Sequence, residues 1–346
     1  MTDTSLAERL GAVAAPRVPV HPDVAVWRSV SRTDIDGIHA LTVAADRVDH
    51  PTWTTPREEI ADQFALRHLD PERDTLVAVD RDGALLAVGV VLLHPARDDG
   101  RLTGFPSGTV HPDHRRRGIG AKLLEWERQR AREQFAEAAA TLEGGGAVGK
   151  MTIFADEANV GLRALAESFG FGVDRWFTTM VRDLADAPVL PPVPDGFEVT
   201  AYTSARDLDT LRARNDAFRD HWGSRPTDAE RWAQFVGSEF FRPDLSRLVL
   251  DDGRIVGFCL ASVNEDDWET LGASNSCIDL IGVVRSHRGR GPAPLVVSHS
   301  LAAIRDARLA KAVLDVDTES PTRANTLYER LGFVATERSL ALVERV

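Results

Sequence analysis

Val110-His111-Pro112-Asp113-His114-Arg115-Arg116-Arg117-Gly118-Ile119-Gly120 and Val283-Val284-Arg285-Ser286-His287-Arg288-Gly289-Arg290-Gly291-Pro292-Ala293 are one device used twice in this chain. Each begins as a hydrophobic run of strand character, passes through a basic, glycine-containing turn, and opens a long helix. Such a turn aims backbone N–H groups at an anion, and the helix N-terminus adds partial positive charge. The pattern predicts a pyrophosphate cradle. Its repetition predicts a duplicated domain.

Length agrees with duplication: at about 150 residues per domain, 346 residues make roughly two. Hydrophobic content of 43% and charged content of 27% are ordinary for a globular chain. A net charge of −12 argues against a general nucleic-acid or anionic-membrane surface, so neither partner is expected. Cys259 and Cys277 are the only cysteines, without metal-ligand spacing or a disulfide framework; a reducing cytoplasm is the expected compartment. The start Met1-Thr2-Asp3-Thr4 lacks a leader pattern, and no apolar run of about 18 residues occurs, so neither signal peptide nor membrane span is expected.

Ala185-Asp186-Ala187-Pro188-Val189-Leu190-Pro191-Pro192-Val193-Pro194 is too rich in proline for a helix or central strand. It reads as a semi-rigid linker, 185–194, between domains 1–184 and 195–346. The first half reads as helices 33–45 and 58–68, a hairpin 75–79 and 84–93, strand 102–110, the long helix 118–140 ended by Glu143-Gly144-Gly145-Gly146, strand 150–154 and helix 160–168. The second half repeats the order: strand 197–202, helices 208–218 and 228–239, strands 247–250, 255–263 and 277–284, helix 291–306, strand 312–316 and helix 323–330. This order predicts α/β layers around a mixed, largely antiparallel sheet.

Arg115-x-x-Gly118-x-Gly120 and Arg288-x-x-Gly291-x-Ala293 before long helices, with Gly170-Phe171 and Gly332-Phe333 near the domain ends, resemble the GNAT superfamily of acyl-CoA-dependent N-acyltransferases. The likeness covers nearly the whole chain and is greatest to the actinobacterial, mycothiol-synthase-like tandem members. It implies an α/β fold of the α+β type, built as two tandem GNAT domains, with acetyl-CoA as acyl donor. It implies that CoA is held by Val110, Arg115, Arg116, Arg117, Gly118, Ile119 and Gly120 in the first half. In the second half it implies Val283, Val284, Arg288, Gly289, Arg290, Gly291 and Ala293. Asn159, seven before Ala166, falls where many members place a CoA-contacting Asn.

The halves differ in complementary ways. In the family a Tyr four residues before Gly-Phe can protonate the departing thiolate. The second half has Tyr328 there; the first has Ala166, which carries no proton. Positioned acid catalysis contributes roughly 10²–10⁴-fold, so Tyr328 is the expected acid. Against this, Pro292 and Pro294 each remove an N–H from the second turn, and the family's Asn-Pro-Thr reads Ser320-Pro321-Thr322, with Asn325 nearby but out of register. The second half is therefore read as catalytic and the first as a CoA binder of doubtful catalytic competence. Catalysis in the first half, with water or substrate protonating the thiolate, stays open.

A neutral amine must attack the thioester, so a base is needed. Asp279 is the only carboxylate on the strand before the second turn, and an acid among apolar neighbours is costly to bury without a partner. Asn215-Asp216-Ala217-Phe218-Arg219-Asp220-His221-Trp222-Gly223 resembles the Asn-x-x-Phe-x-x-His run of the mycothiol-synthase-like members, in a region that walls the family's acceptor pocket; the resemblance implies His221 as a second base or a carboxylate binder, and Asn215 and Trp222 as acceptor-site residues. The first half has a shorter counterpart, Val48-Asp49-His50-Pro51-Thr52-Trp53. Asp279 also reads as an outward residue on a sheet, and His221 as a capping residue. Gly144 to Lys150 lacks a P-loop's spacing, no metal spacing or Ser-His-Asp elbow occurs, and Asn264-Glu265-Asp266-Asp267 reads as a hairpin tip.

The expected activity is acetyl transfer from acetyl-CoA to a primary amine of a small molecule, by a monomer or homodimer. The alternatives are a protein lysine or N-terminal acetyltransferase, and a non-catalytic acyl-CoA-binding or interaction protein.

Overall fold

The computed structural model describes residues 6–10, 13–50, 52–95, 100–142, 147–319 and 324–346. The glycine run 144–146, Pro51 and the Ser320-Pro321-Thr322 slot lie outside them. The chain forms two compact units, Met1–Arg175 with Ser339–Val346, and Trp176–Arg338.

The first unit contains α1 (Leu6–Leu10), β1 (Val26–Arg28), α2 (Ile35–Asp49), α3 (Arg57–Phe64), α4 (Pro71–Asp74), β2 (Thr75–Val79), β3 (Leu85–Leu93), β4 (Arg101–Val110), α5 (Ile119–Ala139), β5 (Val148–Asp156) and α6 (Val160–Ser168). β6 (Gly172–Asp183) leads into the second unit. There follow β7 (Phe197–Ala201), α7 (Asp207–Ala217), α8 (Ala229–Gly237), β8 (Arg247–Asp251), β9 (Arg254–Ser262), α9 (Asp267–Leu271), β10 (Asn275–Val283), α10 (Pro292–Asp306), β11 (Lys311–Asp317) and α11 (Ala324–Arg330). The last strand, β12 (Val334–Arg345), returns its end to the first unit.

In the first unit the strand order is β1-β2-β3-β4-β5, with Ser339–Arg345 of β12 antiparallel against β5. In the second it is β6-β11-β10-β9-β8-β7, with Phe177–Asp183 of β6 antiparallel against β11. One pair in each unit is parallel, β4 with β5 and β10 with β11. The described ladders otherwise run antiparallel, as the alternation of elements predicts. The compact units do not part at the proline segment. An unpaired strand edge exposes a row of donors and acceptors, and in each unit that edge is covered by a strand from the far side of the linker: β12 beside β5, β6 beside β11.

Local chemistry explains the ends of the helices. Asp228 accepts the Arg231 N–H at 2.9 Å at the start of α8, and Asn159 accepts the Leu162 N–H at 3.0 Å at the start of α6. At Asn264–Asp267 the structure differs from a simple hairpin tip. Asp267 starts the short α9, where Asn264 Nδ2 donates to its carboxylate at 3.1 Å and Trp268 Nε1 donates to Asn275 O at 3.3 Å. An indole with a polar partner to reach holds that turn down.

The second unit has a core on each face of its sheet. On one face Met180, Cys259, Ala261, Ile278, Leu314 and Val316 pack with α10 and α11, including Tyr328. On the other Phe258, Leu260 and Leu248 pack with α7 and α8 through Leu211, Ala217 and Trp232. This division decides which side chains can meet at the site.

Candidate active site

Both basic turns fold alike. Gly118 and Gly291 each take φ of +96° immediately before their helices. Arg116 (φ 61°) and Gly289 (φ 75°), one residue after the turn's first arginine, are also left-handed. An added Cβ at Gly289 or Gly291 would meet nothing within 4 Å, so their backbone angles, not crowding, call for glycine. The leading amides of α5 have no carbonyl one turn back to bond and remain available to an anion. In α10, Pro292 and Pro294 leave fewer of them. Pro292 is the first helical residue, where proline costs the helix nothing, and its ring packs on Gly257.

Sequence reading missed His21. Its Nε2–H donates to Arg117 O at 2.7 Å, and its ring lies against Gly118, so a residue far upstream braces the first turn. Nothing in residues 13–25 signals this contact.

Beyond the turns the parallel strands part. β10 pairs with β11 only over Asn275–Cys277 against Lys311–Val313, though β10 runs on to Val283 and β11 to Asp317. β4 and β5 pair only over Arg101–Gly104 against Val148–Met151. Each unit therefore opens a slot between its central strands, on the path from the basic turn into the sheet.

The units differ at the lip of that slot. The β9–β10 register slips between Ile278 and Leu280, so Asp279 is the extra residue of a β-bulge. Two residues beyond Cys277, which pairs with Ser262, Asp279 lies on the Ser262 side, and its Oδ1 accepts the Ser262 hydroxyl at 3.0 Å. In the first unit the β3–β4 register runs unbroken from Ala87–Val110 to Leu93–Gly104, and Pro106 stands in the corresponding strand position. A proline brings neither carboxylate nor N–H.

Across four adjacent strands one face carries a polar row: Ser262 on β9, Cys277 and Asp279 on β10, Asp315 on β11 and Thr179 on β6. Ser262 pairs with Cys277 and Thr179 pairs with Asp315, and the Thr179 hydroxyl donates to the Asp315 carboxylate at 2.6 Å. The alternating residues Ala261, Ile278, Leu314 and Met180 fill the core on the opposite face. Asp279 and Asp315 both reach solvent, yet protein atoms crowd them. That desolvation pushes Asp279 up to about 6 against the hydrogen bonds from Ser262 and Cys277. It raises Asp315 as well, opposed by Thr179. Asp315 was not singled out from sequence, because only pairing with β6 and the opening beside β10 place it here.

Burial raises the Cys277 thiol well above its ordinary range, and the carboxylates of Asp279 and Asp315 add to this. Cys259 is pushed up to about 12, chiefly by burial. Neither sulfur is a thiolate near neutral pH, so neither is suited to carry an acyl group.

Tyr328 lies on the other face, only 7% exposed, edge-to-face with Phe333 at 5.9 Å. Burial, with Cys259 beside it, raises its pKa above the ordinary phenol value, so its proton stays on at neutral pH. Its counterpart Ala166 is fully buried.

The loop after α7 sits on the polar face. His221 packs on Phe218 at 4.8 Å between ring centroids, and Trp222 meets Phe177 edge-on at 5.9 Å. Phe177 is two residues before Thr179 on β6, so both side chains share a face. Asn215 is committed to this loop: its Oδ1 accepts the Thr227 N–H at 2.8 Å and its Nδ2 donates to Thr227 O at 2.9 Å. Asn159 likewise spends its side-chain oxygen on the α6 cap. In the first unit His50 stacks on Trp53 at 3.5 Å and lies 3.2 Å from Asp46; burial lowers its pKa, but the Asp46 contact more than offsets this.

In both units a turn that presents backbone amides lies at a gap between parallel strands, an arrangement suited to an acyl donor carried on a diphosphate. The chain belongs to the acetyltransferase (GNAT) family, whose model matches residues 40–171 and 208–333. It is 30% identical over 321 residues to a mycothiol acetyltransferase of Mycolicibacterium vanbaalenii, covering 90% of this chain and 97% of that protein. It is 32% identical over 302 residues to a mycothiol acetyltransferase of Thermomonospora curvata, covering 86% and 90%. In fold it is similar to a GCN5-related N-acetyltransferase from Sphaerobacter thermophilus, with a TM-score of 0.68, 24% identity and coverage of 94% and 97%. It is similar also to a tandem GNAT protein from the clavulanic acid biosynthesis pathway, with a TM-score of 0.64, 17% identity and coverage of 92% and 98%. The protein is thus a tandem GNAT acetyltransferase that uses acetyl-CoA, and among the described residues no helix is long and apolar enough to cross a membrane.

Proposed function

We propose that the second unit transfers the acetyl group of acetyl-CoA to a primary amine of a small molecule, and that the unacetylated amine precursor of mycothiol is the acceptor to test first. The bulge that leaves Asp279 as an extra residue beside the β10–β11 slot is the observation that carries this reading; the first unit has no such residue. The acceptor amine arrives protonated, with Asp315 opposite its charge. Asp279 takes a proton from it, and the neutral nitrogen attacks the thioester carbonyl. Backbone N–H groups near Val283 polarise that carbonyl. As the tetrahedral intermediate collapses, the C–S bond breaks and the Tyr328 hydroxyl gives its proton to the sulfur; the nitrogen's second proton then restores the Tyr328 phenol, and Asp279 passes its own proton to solvent. Cys259 and Cys277 are held as thiols, which favours direct attack over an acyl-enzyme.

Gly291 and Ala293 keep their amides for the pyrophosphate. His221 and Trp222 border the acceptor side. The first unit, with fuller amides and Ala166 in place of the phenol, is a CoA-binding half without turnover. The two prolines of the second turn favour a second reading, in which the protein binds acyl-CoA and catalyses nothing. The deciding experiment measures CoA release from acetyl-CoA with the mycothiol precursor and a panel of other amines. Turnover that Asp279→Asn abolishes supports the transferase reading. Tight acetyl-CoA binding with no turnover on any amine supports the binder.

A further inference from the structure

The arginine that opens each turn does not aim its guanidinium at the amides around it. In the first unit Arg115 donates Nε–H to Val110 O at 2.9 Å and both Nη groups to Asp49, at 2.7 and 2.8 Å. Asp49 is the last residue of α2. In the second unit Arg288 donates Nη2–H to Ala217 O at 2.8 Å and Nη1–H to Asp220 at 3.0 Å. Ala217 is the last residue of α7. Two arginines at the same place in two turns reach the same end of corresponding helices, α2 and α7. The second unit adds more ties: the Arg285 N–H donates to Asp216 at 2.9 Å, and Arg285 Nε lies 3.1 Å from Asp220.

We propose that Arg288 is a positioning residue, a latch that ties the donor turn to the acceptor-side loop Phe218–Gly223, and not a ligand of the pyrophosphate. Its guanidinium sits at the negative end of a helix, on a free carbonyl and a carboxylate. Both of its bonds are charge-assisted, and together they fix the direction of the guanidinium. Arg290, 3.8 Å from Asp251 and above the Phe197 ring at 5.7 Å, is the side chain left to face the phosphates with the amides. His221 and Trp222 directly follow Asp220, so the latch holds the loop in which they stand at a set distance from the turn. This assignment rests on the reading above, that this unit takes acetyl-CoA and an amine.

The test compares the full-length chain with Arg288→Ala and Asp220→Asn in three measurements: acetyl-CoA affinity by calorimetry, KM for the mycothiol precursor amine, and hydrogen exchange over residues 217–224. A latch predicts acetyl-CoA affinity within about threefold of wild type, amine KM raised about tenfold, and faster exchange over the loop in both variants. A tenfold or larger loss of acetyl-CoA affinity in Arg288→Ala, with loop exchange unchanged, overturns it. Tighter acetyl-CoA binding in Asp220→Asn, with the loop unaffected, also overturns it, because it would mean that Asp220 merely restrains a phosphate ligand. Asp220→Asn keeps the arginine and nearly the same shape, which guards against simple misfolding. Hydrogen exchange needs no turnover: a wild-type chain that binds no acetyl-CoA defeats the functional reading, while loop exchange still judges the latch.

Discussion

Gly89 and Gly108 are direct cross-strand partners on β3 and β4, and the carboxyl of Glu127 from α5 fills the hollow that their missing side chains leave. A Cβ at Gly89 or Gly108 would lie 2.6 or 2.7 Å from Glu127 Oε1. Glu127 is 2% exposed, and its Oε1 has no hydrogen-bond partner. Burial alone pushes its pKa up to about 8, so it is held as the neutral acid near pH 7.

A carboxyl whose pKa is higher folded than unfolded favours folding at low pH. Its contribution is complete below the unfolded value near 4.5 and declines as pH rises to about 8. Urea midpoints are therefore expected to fall between pH 5 and pH 8, and Glu127→Gln to flatten that fall. Gly108→Ala is expected to cost about 1–3 kcal/mol at either pH, from overpacking. Equal pH slopes for wild type and Glu127→Gln would show that the carboxyl does not titrate in this range.

Asp279→Asn is expected to lower kcat by roughly 10²–10⁴-fold. If Asp279 is the base, it works as the carboxylate, so kcat/KM should rise with pH through about 6, and this acidic limb should vanish in the variant. An unchanged limb would assign it to another group.

Asp315→Asn removes the charge proposed to face the acceptor ammonium and keeps the shape of the side chain. Amine KM is expected to rise about tenfold, the worth of one charge-assisted hydrogen bond, while acetyl-CoA affinity holds. A fall in kcat alone would move Asp315 from binding to chemistry.

Tyr328→Phe keeps the buried ring and removes the proton. We expect a kcat at least about 10²-fold lower with stability little changed, read by steady-state kinetics beside thermal unfolding. Full activity in this variant would leave the thiolate to be protonated by water.

Arg116 holds φ of 61° where the second turn has Gly289 at 75°. A left-handed non-glycine residue costs roughly 1–2 kcal/mol. Arg116→Gly should recover up to about 1 kcal/mol of stability, since glycine also loses more freedom on folding, and urea denaturation will measure it.

The duplicated architecture was legible in sequence because its signals are local. Val160–Ser168 and Thr75–Val79 match the expected bounds, and other helices and strands shift by a few residues, as hydrophobic period and turn chemistry allow. Tyr328 and Asp279 stood out because spacing to a motif is a property of the chain alone. Asp315 and His21 did not, since what defines each is a neighbour far away in sequence, Thr179 for one and Arg117 for the other. Arg115 and Arg288 were expected, by resemblance, to hold CoA through their backbone N–H groups, which leaves the course of their side chains undetermined. Which way a long side chain turns depends on the nearest carboxylate in space, and that information is not local.

Chain order alone was enough for two basic turns, two slots' worth of strands and the phenol of Tyr328, because backbone propensity and residue spacing act over a few neighbours. Folding settled what the far contacts made of them: a slipped register that leaves Asp279 as an extra residue in one unit and has no counterpart in the other, strands from beyond the linker that cover the open strand of each unit, and arginines drawn back onto helix ends. Those outcomes depend on pairing and charge across long sequence distances, where edge groups must find partners and each cation goes to the anion that packing brings near.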